Sequence, residues 1–497
     1  MIRSLCYLAL LSLAASAAPF QVEKVPNPSG IDPQIGGVGV MPDGRVAAVF
    51  HRGELMIFDP AANSWSKFAE GLQEPLGLVV ESASGFLVMQ RAELTRIKDS
   101  DADGRADDYE TVYDDFGMTG NYHEFAFGPA KGPDGFLYIA LNVASNGAGV
   151  RPEVRGAWSE TGEMDFRQMV HDGNWGKRST KAGRMYSRVP WRGWIMRISP
   201  DGKSVEPFAC GFRSPDGIGF DGEGNLLVTD NQGDWRGTSP LHVVKRGGFH
   251  GHPASLVWQD GWNKGDPRRI PEEELDRMRV KEAARFPQGE LANSPAQPVV
   301  FPPSWGPFAG QVLIGEMNQN RMVRFLPDDV GGFRQGALIP MFDGTSLGNG
   351  NHRLAFGSDG TLWVGKTHLS WAGAEGLVKI TPFGLDELFT VKAVHLEKSG
   401  EDHLLRIAFS QPIGSGTDGV TMDRFSYLYH QDYGSPKVGE ASVPIDHAVL
   451  SDGRRELLLS FRAKEGDIHR VDLTALRGPG DLDLEGKTLY YQVSQLP

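Results

Sequence analysis

A hairpin pattern that recurs along most of the chain predicts an all-β fold, a six-bladed β-propeller followed by an immunoglobulin-like β-sandwich. Glycine supplies 63 of the 497 residues, which is close to twice its usual share. Short apolar strands alternate with Asp-Gly and similar turns, as in GVGVMPDGRVAAVF from Gly37 and IGFDGEGNLLVTD from Ile218. Glycine adopts the positive φ of tight hairpin turns at little cost. The pattern is therefore typical of a repeat of antiparallel sheets.

The spacing of the turn glycines sets the size of the repeat. Gly44, Gly85 and Gly135 follow one another at about 40 to 50 residues, the length of a four-stranded propeller blade. Six copies between residues 30 and 384 predict six blades, and a seven-bladed count stays open if the insertion 143–190 contains another. A second insertion, 255–297, contains a predicted helix, PEEELDRMRVKEAARF from Pro271 to Phe286, because proline suits a first helical turn. Insertions of this size usually lie on one face and shape its site.

The last part of the chain, residues 389–497, has a different pattern. Segments such as HLLRIAFSQPI, ELLLSFRA and KTLYYQVSQL are short strands separated by turns. Such spacing predicts a β-sandwich of immunoglobulin-like type. The segment carries no motif with a recognisable chemistry, and we interpret it as an accessory module.

Residues 1–18 have the pattern of a signal peptide. Arg3 precedes an apolar run from Leu5 to Ala15, and Ala15-Ser16-Ala17 is a small-residue cleavage site. The sequence therefore predicts export to the periplasm or the medium, and no other segment is apolar enough for an integral membrane span. The net charge of −13 argues against nucleic acid as a partner.

An acidic loop at residues 99–110, DSDADGRADDYE, fits the twelve-residue calcium-loop template. Oxygen ligands fall at the required positions, glycine stands at position 6, and Arg105 offers its backbone carbonyl. The preceding LTRIK is typical of a strand, so the loop is not part of a helix–loop–helix pair. The sequence predicts a calcium site, more often structural than catalytic, at Asp99, Asp101, Asp103, Arg105, Asp107 and Glu110.

The stretch from Phe208 to Pro253 contains an arginine in a Pro-Asp-Gly turn, a hairpin, the polar loop DNQGDW and a second glycine-rich turn. This order resembles one blade of the glucose/sorbosone dehydrogenase family, soluble six-bladed propellers that use pyrroloquinoline quinone (PQQ). The resemblance implies oxidation of an aldose or sorbosone-like aldehyde, with PQQ and calcium as cofactors. The electron acceptor stays unknown.

The resemblance also implies roles for particular residues. His123 would be the general base, a task that suits imidazole, and Arg213 would stabilise the developing oxyanion or the reduced quinone. Ser214 and Gln232 would contact the cofactor, and the backbone carbonyls of Gly233 and Asp234 would hold calcium. The cofactor's carboxylates need cations, for which the candidates are Arg321, Arg324, Arg353 and Lys366.

Two other functions stay open on the residues alone. A calcium-dependent propeller hydrolase of lactonase type would use acids and histidines at the mouth, namely Asp216, Asp234, His123 and His352. A non-catalytic glycan or protein binder would use the tryptophans to stack on sugar rings, since a propeller does not dictate function. These are Trp158, Trp175, Trp191, Trp194, Trp235, Trp258 and Trp262.

Overall fold

The chain folds into antiparallel sheets, and the all-β prediction is confirmed. A computed structural model describes residues 19–145, 155–157, 159, 185–368 and 373–497. Six successive meanders of four strands make up the first part of the described chain. In the first three they are β2 (Ile35–Val40), β3 (Val46–Phe50), β4 (Leu55–Asp59) and β5 (Ser64–Ala69); β6 (Gly77–Ser82), β7 (Gly85–Met89), β8 (Leu94–Lys98) and β9 (Asp108–Tyr113); and β10 (Ala126–Lys131), β11 (Leu137–Leu141), β14 (Trp194–Ile198) and β15 (Val205–Cys210).

The remaining three meanders use the rest of this part and the first strand of the chain. A two-stranded sheet of β12 (Ala144–Ser145) and β13 (Met185–Tyr186) lies beside the third meander in sequence. The meanders comprise β16 (Pro215–Phe220), β17 (Leu226–Asp230), β18 (Ser239–Val243) and β19 (Ala284–Phe286); β20 (Pro295–Val300), β21 (Val312–Glu316), β22 (Met322–Val330) and β23 (Phe333–Met341); and β24 (Asn351–Phe356), β25 (Leu362–Lys366) and β26 (Gly376–Pro382) with β1 (Phe20–Lys24).

The first strands of successive meanders touch one another in a closed ring, from β2 through β6, β10, β16, β20 and β24 back to β2. This radial arrangement is that of a β-propeller. Glycine lets the inner strands approach closely, because a Cβ on Gly77 would lie 1.5 Å from the Gly128 carbonyl oxygen and one on Gly217 would lie 2.0 Å from that of Ala296. Many of the glycines therefore serve the axis of the ring as well as the turns.

The ring is closed by pairing between the two ends of the repeat. β1 runs antiparallel to β26, with Phe20 opposite Pro382 and Lys24 opposite Val378. Residues 20–24, which precede the predicted propeller range 30–384, thus form one strand of the sixth meander. These hydrogen bonds tie the N-terminal strand, which leads directly into the first meander, to the last meander.

The predicted helix is shorter than its sequence pattern suggested. Helix α1 covers Glu272–Met278 and ends at Arg279, whereas Ala284–Phe286 forms β19 and pairs with β18. The segment 255–297 is therefore not wholly an insertion, because it also contains the last strand of the fourth meander. No helix in the described part of the chain is long and apolar enough to cross a membrane.

The C-terminal part consists of two packed sheets, one of which continues the fifth meander. The free sheet contains β27 (Val391–Ser399), β28 (Asp402–Phe409), β32 (Glu456–Phe461) and β31 (His447–Leu450). The other contains β34 (Thr488–Gln492), β33 (Ile468–Asp472), β29 (Thr421–Ser426) and β30 (Val438–Ser442), and β34 pairs with β23. Their shared core includes Leu405, Leu457, Val471 and Tyr491, together with Ile339 from β23. The C-terminal module is thus joined to the ring through a common sheet.

Candidate functional site

A cavity of about 290 Å³ lies where the third, fourth and fifth meanders meet the C-terminal module. Most of its residues lie before the first strand of a meander, as His123 does, or after the second, as Gln232 does. In an antiparallel hairpin these two positions lie at the same end, so the topology gathers them at one mouth of the ring. The predicted residues His123, Arg213, Ser214 and Gln232 all line this cavity.

His123 is held as a neutral base. Its Nδ1 lies 2.9 Å from the carbonyl oxygen of Val143, and a carbonyl only accepts hydrogen bonds, so Nδ1 carries the proton and Nε2 keeps a lone pair. Burial, with a contribution from the nearby Arg213 charge, lowers the pKa of His123 to about 3. The imidazole is therefore uncharged at neutral pH and can accept a proton from a ligand.

Arg213 is anchored by Asp234 and by the turn that carries it. Its Nε donates to Asp234 Oδ1 at 3.0 Å, while the backbone N–H groups of Arg213 and Ser214 donate to the two oxygens of Asp230, at 2.8 and 2.6 Å. Asp230 was not among the sequence candidates, although it is both the last residue of β17 and the first of the polar loop, where a carboxylate can cap a neighbouring turn.

Asp234 is a fully engaged carboxylate. Besides Arg213 it accepts hydrogen bonds from Met185 N at 3.1 Å and from His252 Nε2 at 3.3 Å. Burial alone would raise the pKa of Asp234, but the hydrogen bond and charge of His252 together with Arg213 hold it well below 3.8. Burial lowers the pKa of His252 in spite of this partner. Asp234 therefore serves to orient Arg213 and has no role as an acid near neutral pH.

The other walls of the cavity offer amides, hydroxyls and aromatic rings. Asn142 Nδ2 donates to Ser214 Oγ at 3.2 Å, and Ser294 Oγ donates to Asn231 Oδ1 at 3.1 Å. Of these, Asn142 and Ser294 were not sequence candidates, because they come from different meanders and their side chains gave no local signal. The aromatic residues on the cavity are Tyr122, Phe125, Phe127 and Tyr433.

The predicted calcium carbonyl at Gly233 already has partners. The Gly233 oxygen accepts from Gly434 N at 2.9 Å and from Arg236 N at 3.1 Å, and a Cβ on this glycine would lie 1.9 Å from Arg213 Nε. The polar loop is therefore packed against Arg213 and against the C-terminal module. As described, it does not present a free pair of carbonyls to an ion.

The predicted cofactor cations do not line the cavity. Arg321 pairs with Asp343 at 2.8 Å, and Arg353 donates to the carbonyls of Gly36 and Leu76. Lys366 Nζ donates to Asn349 O and Asn351 Oδ1, both at 2.6 Å, and burial lowers its pKa to about 7.

Arg324 is likewise buried away from the cavity, against Glu485. Among the described residues, Arg213 is the only lysine or arginine that lines the cavity. A quinone with three carboxylates needs more positive charge than this. The described part of the site therefore does not fit PQQ.

The acids and histidines of the hydrolase alternative form separate pairs. His352 Nε2 lies 2.8 Å from Asp216 Oδ1, and Arg353 Nη2 lies 3.4 Å from the same oxygen. Asp234 is engaged with Arg213 and His252. Because each group is engaged with a protein partner, these residues form no set of convergent metal ligands at the mouth.

The acidic loop brings only part of its predicted ligand set together. Carboxylate oxygens of Asp99, Asp101 and Asp103 lie within 4.8 Å of one another, the only such group of three or more potential ligands in the described ranges. Asp107 instead accepts from the Ser100 backbone and hydroxyl, and Glu110 pairs with Arg96 at 3.1 Å. The loop fits a cation at three of its carboxylates, and none of its residues lines the ring's cavity.

The described tryptophans pack inside the protein and do not line the cavity. Trp191 lies against Trp194 at 5.5 Å, and Trp235, which is 2% exposed, lies against Tyr429 at the same distance. Trp258 and Trp262 belong to the same apolar cluster. Trp158 and Trp175, like most of the insertion 143–190 and the leader 1–18, lie outside the described residues.

Comparison with known proteins gives a family of unknown function and several propellers. A family model described as a domain of unknown function, DUF7133, matches residues 58–192, and no curated protein matches the chain. The chain is similar to an oxidoreductase described as a glucose dehydrogenase from Thermus thermophilus, with 16% identity and a TM-score of 0.47 over 73% of this chain and 100% of that one.

Two further solved structures are similar to a comparable extent. One is the PQQ-bound aldose sugar dehydrogenase of Streptomyces coelicolor, with 16% identity and a TM-score of 0.46 over 73% of this chain and 99% of that chain. The other is the PQQ domain of pyranose dehydrogenase from Coprinopsis cinerea, with 12% identity and a TM-score of 0.46 over 73% and 96%. At these identities and TM-scores the likenesses assign no activity or ligand to this chain.

Proposed function

We propose that the chain is a sugar-dehydrogenase-like propeller whose cavity binds one small sugar, and that His123 removes a proton from a sugar hydroxyl. The observation that carries the proposal is the neutral imidazole of His123 beside the Asp234-anchored guanidinium of Arg213. Amides, hydroxyls and aromatic rings complete the cavity, and these are the groups that bind the polar edges and apolar faces of a sugar.

The charges that form at the site with and without a substrate explain why His123 and Arg213 would act together. An imidazolium formed on His123 alone would be disfavoured by burial and by Arg213. When the proton comes from a bound hydroxyl, an alkoxide develops at the same time, and the guanidinium stabilises it. Arg213 therefore opposes protonation of the empty site and favours proton transfer from a substrate.

Oxidation of the sugar also needs a hydride acceptor. PQQ stays a prediction from the sequence. The described residues of this cavity include too few cationic side chains to bind its carboxylates. The proposal also includes two points about the fold: the six meanders are six propeller blades, and residues 389–497 are an immunoglobulin-like sandwich. It further includes that the acidic loop binds calcium for stability and that the leader 1–18 exports the protein.

Sugar binding and turnover test the proposal directly. The full chain is titrated calorimetrically with glucose, galactose, xylose and gluconolactone, and turnover is followed with an artificial dye acceptor, with and without PQQ and calcium. We expect at least one aldose to bind. His123→Ala should retain binding but lose about 10²- to 10⁴-fold in turnover, the usual contribution of a general base.

The other outcomes separate the alternatives. Full turnover by His123→Ala, or no binding of any sugar, would refute the proposal. Hydrolysis of gluconolactone that a chelator abolishes would favour the hydrolase. A rise in melting midpoint with PQQ alone would show that residues outside the described ranges supply the missing cations.

A further inference from the structure

The C-terminal module reaches the mouth of the ring through one loop. The segment 429–436, between β29 and β30, lies along the polar loop 230–237 of the fourth meander. Trp235 N donates to His430 O at 3.1 Å, Gly434 N donates to Gly233 O at 2.9 Å, and Ser435 N donates to Gly237 O at 2.8 Å. The backbone of the 429–436 segment is thus tied to the loop that carries Asp234.

Side chains fix the 429–436 segment in this position. Tyr429 Oη donates to Gly251 O at 2.6 Å, and its ring packs on the buried Trp235. The approach is close, since a Cβ on Gly237 would lie 2.6 Å from the Leu428 carbonyl oxygen. Hydrogen bonds along the segment and an aromatic pair beside it make it a fixed wall of the mouth.

Tyr433 is the residue that this wall presents to the cavity. Its ring lines the cavity and lies 5.3 Å from the guanidinium carbon of Arg213, yet 46% of the residue is exposed. Tyr122, on the propeller side, lines the same cavity and is 49% exposed. Buried rings usually serve packing, whereas half-exposed rings beside hydrogen-bonding groups are typical of a binding surface.

We propose that the C-terminal module completes the sugar site, with Tyr433 as a binding residue on which the sugar ring stacks and Tyr122 as a second aromatic surface. The inference rests on the proposed function and deepens it, because it makes the site a joint product of the ring and the module. Tyr433 also lies over Arg213, so the ring and the guanidinium that stabilises the alkoxide border the same cavity.

Variants of Tyr433 test the inference on the full chain. The dissociation constant is measured for the aldose that the wild type binds best. Loss of one stacking ring should weaken binding of Tyr433→Ala about three- to tenfold. Tyr433→Phe, which keeps the ring, should bind like the wild type. Tyr109→Ala is the matched control, since Tyr109 is also 46% exposed and does not line the cavity.

A second variant tests the position of the 429–436 segment and leaves the Tyr433 side chain unchanged. Gly434 has φ of 67°, and a Cβ there would lie 3.0 Å from the Gln232 side chain, so Gly434→Val should displace the segment and weaken binding while Tyr433 is still present. Unchanged affinity in both Tyr433→Ala and Gly434→Val would overturn the inference and leave the proposed function standing. Failure of the wild type to bind any sugar would overturn both.

Discussion

Replacing Asp234 by alanine should destabilise the protein through the charge that it leaves behind. The Asp234 carboxylate is 1% exposed and accepts from Arg213, Met185 and His252. The Arg213 side chain donates no other hydrogen bond within the described residues. Removal of the Asp234 carboxylate would leave the largely buried guanidinium of Arg213 without a counter-charge.

The magnitude follows from the kind of pair that is broken. Removing one partner of a buried ion pair costs about 3–5 kcal/mol, because the remaining charge stays desolvated. Arg213→Ala should be milder, at about 2 kcal/mol, since Asp234 keeps the hydrogen bonds from His252 and Met185 N. The double variant buries no unpaired charge, so it should be more stable than the sum of the single effects predicts, by about 2 kcal/mol or more.

A double-mutant cycle provides the assay. Denaturant midpoints and slopes are measured at pH 7 for the wild type, Asp234→Ala, Arg213→Ala and the double variant. Near-neutral pH keeps Asp234 ionised, because its pKa lies well below 3.8. Single effects that add to within about 0.5 kcal/mol would show that the two residues are not coupled and would refute the ion-pair reasoning.

Three further predictions concern acid, packing at the axis and the acidic loop. Acid should reduce the free energy of unfolding below pH 6.5, because burial lowers the pKa of His250 to about 3 in the folded protein and only the unfolded chain then takes up the proton. At pH 5 the free energy of unfolding that His250 removes is about 2 kcal/mol. The free energies of unfolding at pH 7.5 and pH 5 should therefore differ by that much less in His250→Gln. Gly77→Ala should unfold the ring or lower its melting midpoint strongly. Gly44→Ala, whose Cβ meets no atom within 4 Å, should cost only about 1 kcal/mol because of the positive φ at that position. Similar midpoints for the two variants would contradict the close approach at the axis. Calcium should raise the melting midpoint with a Kd on the order of 10⁻⁴–10⁻³ M, and Asp101→Asn but not Asp108→Asn should abolish the rise.

Local pattern alone determined much of the fold. The turn glycines and the alternation of apolar residues located the strands of the meanders, because a hairpin is encoded by residues next to each other in sequence. Within the segment from Phe208 to Pro253, Arg213 contacts Asp234 and shares the cavity with Gln232, since one hairpin and its flanking turns hold the three residues together. The three carboxylates of the acidic loop converge for the same reason.

Tertiary structure decided which of these residues share the site. Lys366, Arg321 and Arg353 resemble cofactor cations in sequence, but none of them lines the cavity, and oxygen atoms of other residues bind each of them. Tyr433 and the strand at Phe20–Lys24 carry no local signal of their roles. Tyr433 contacts Arg213 across more than 190 residues of chain, and Phe20–Lys24 pairs with β26 across more than 350. Sequence periodicity reports the conformation of a segment, whereas partners, burial and pKa depend on what packs against it. For this protein, the strands were predictable from the residues themselves, and the cavity with its C-terminal wall was settled only by the packing of sheets far apart in the chain.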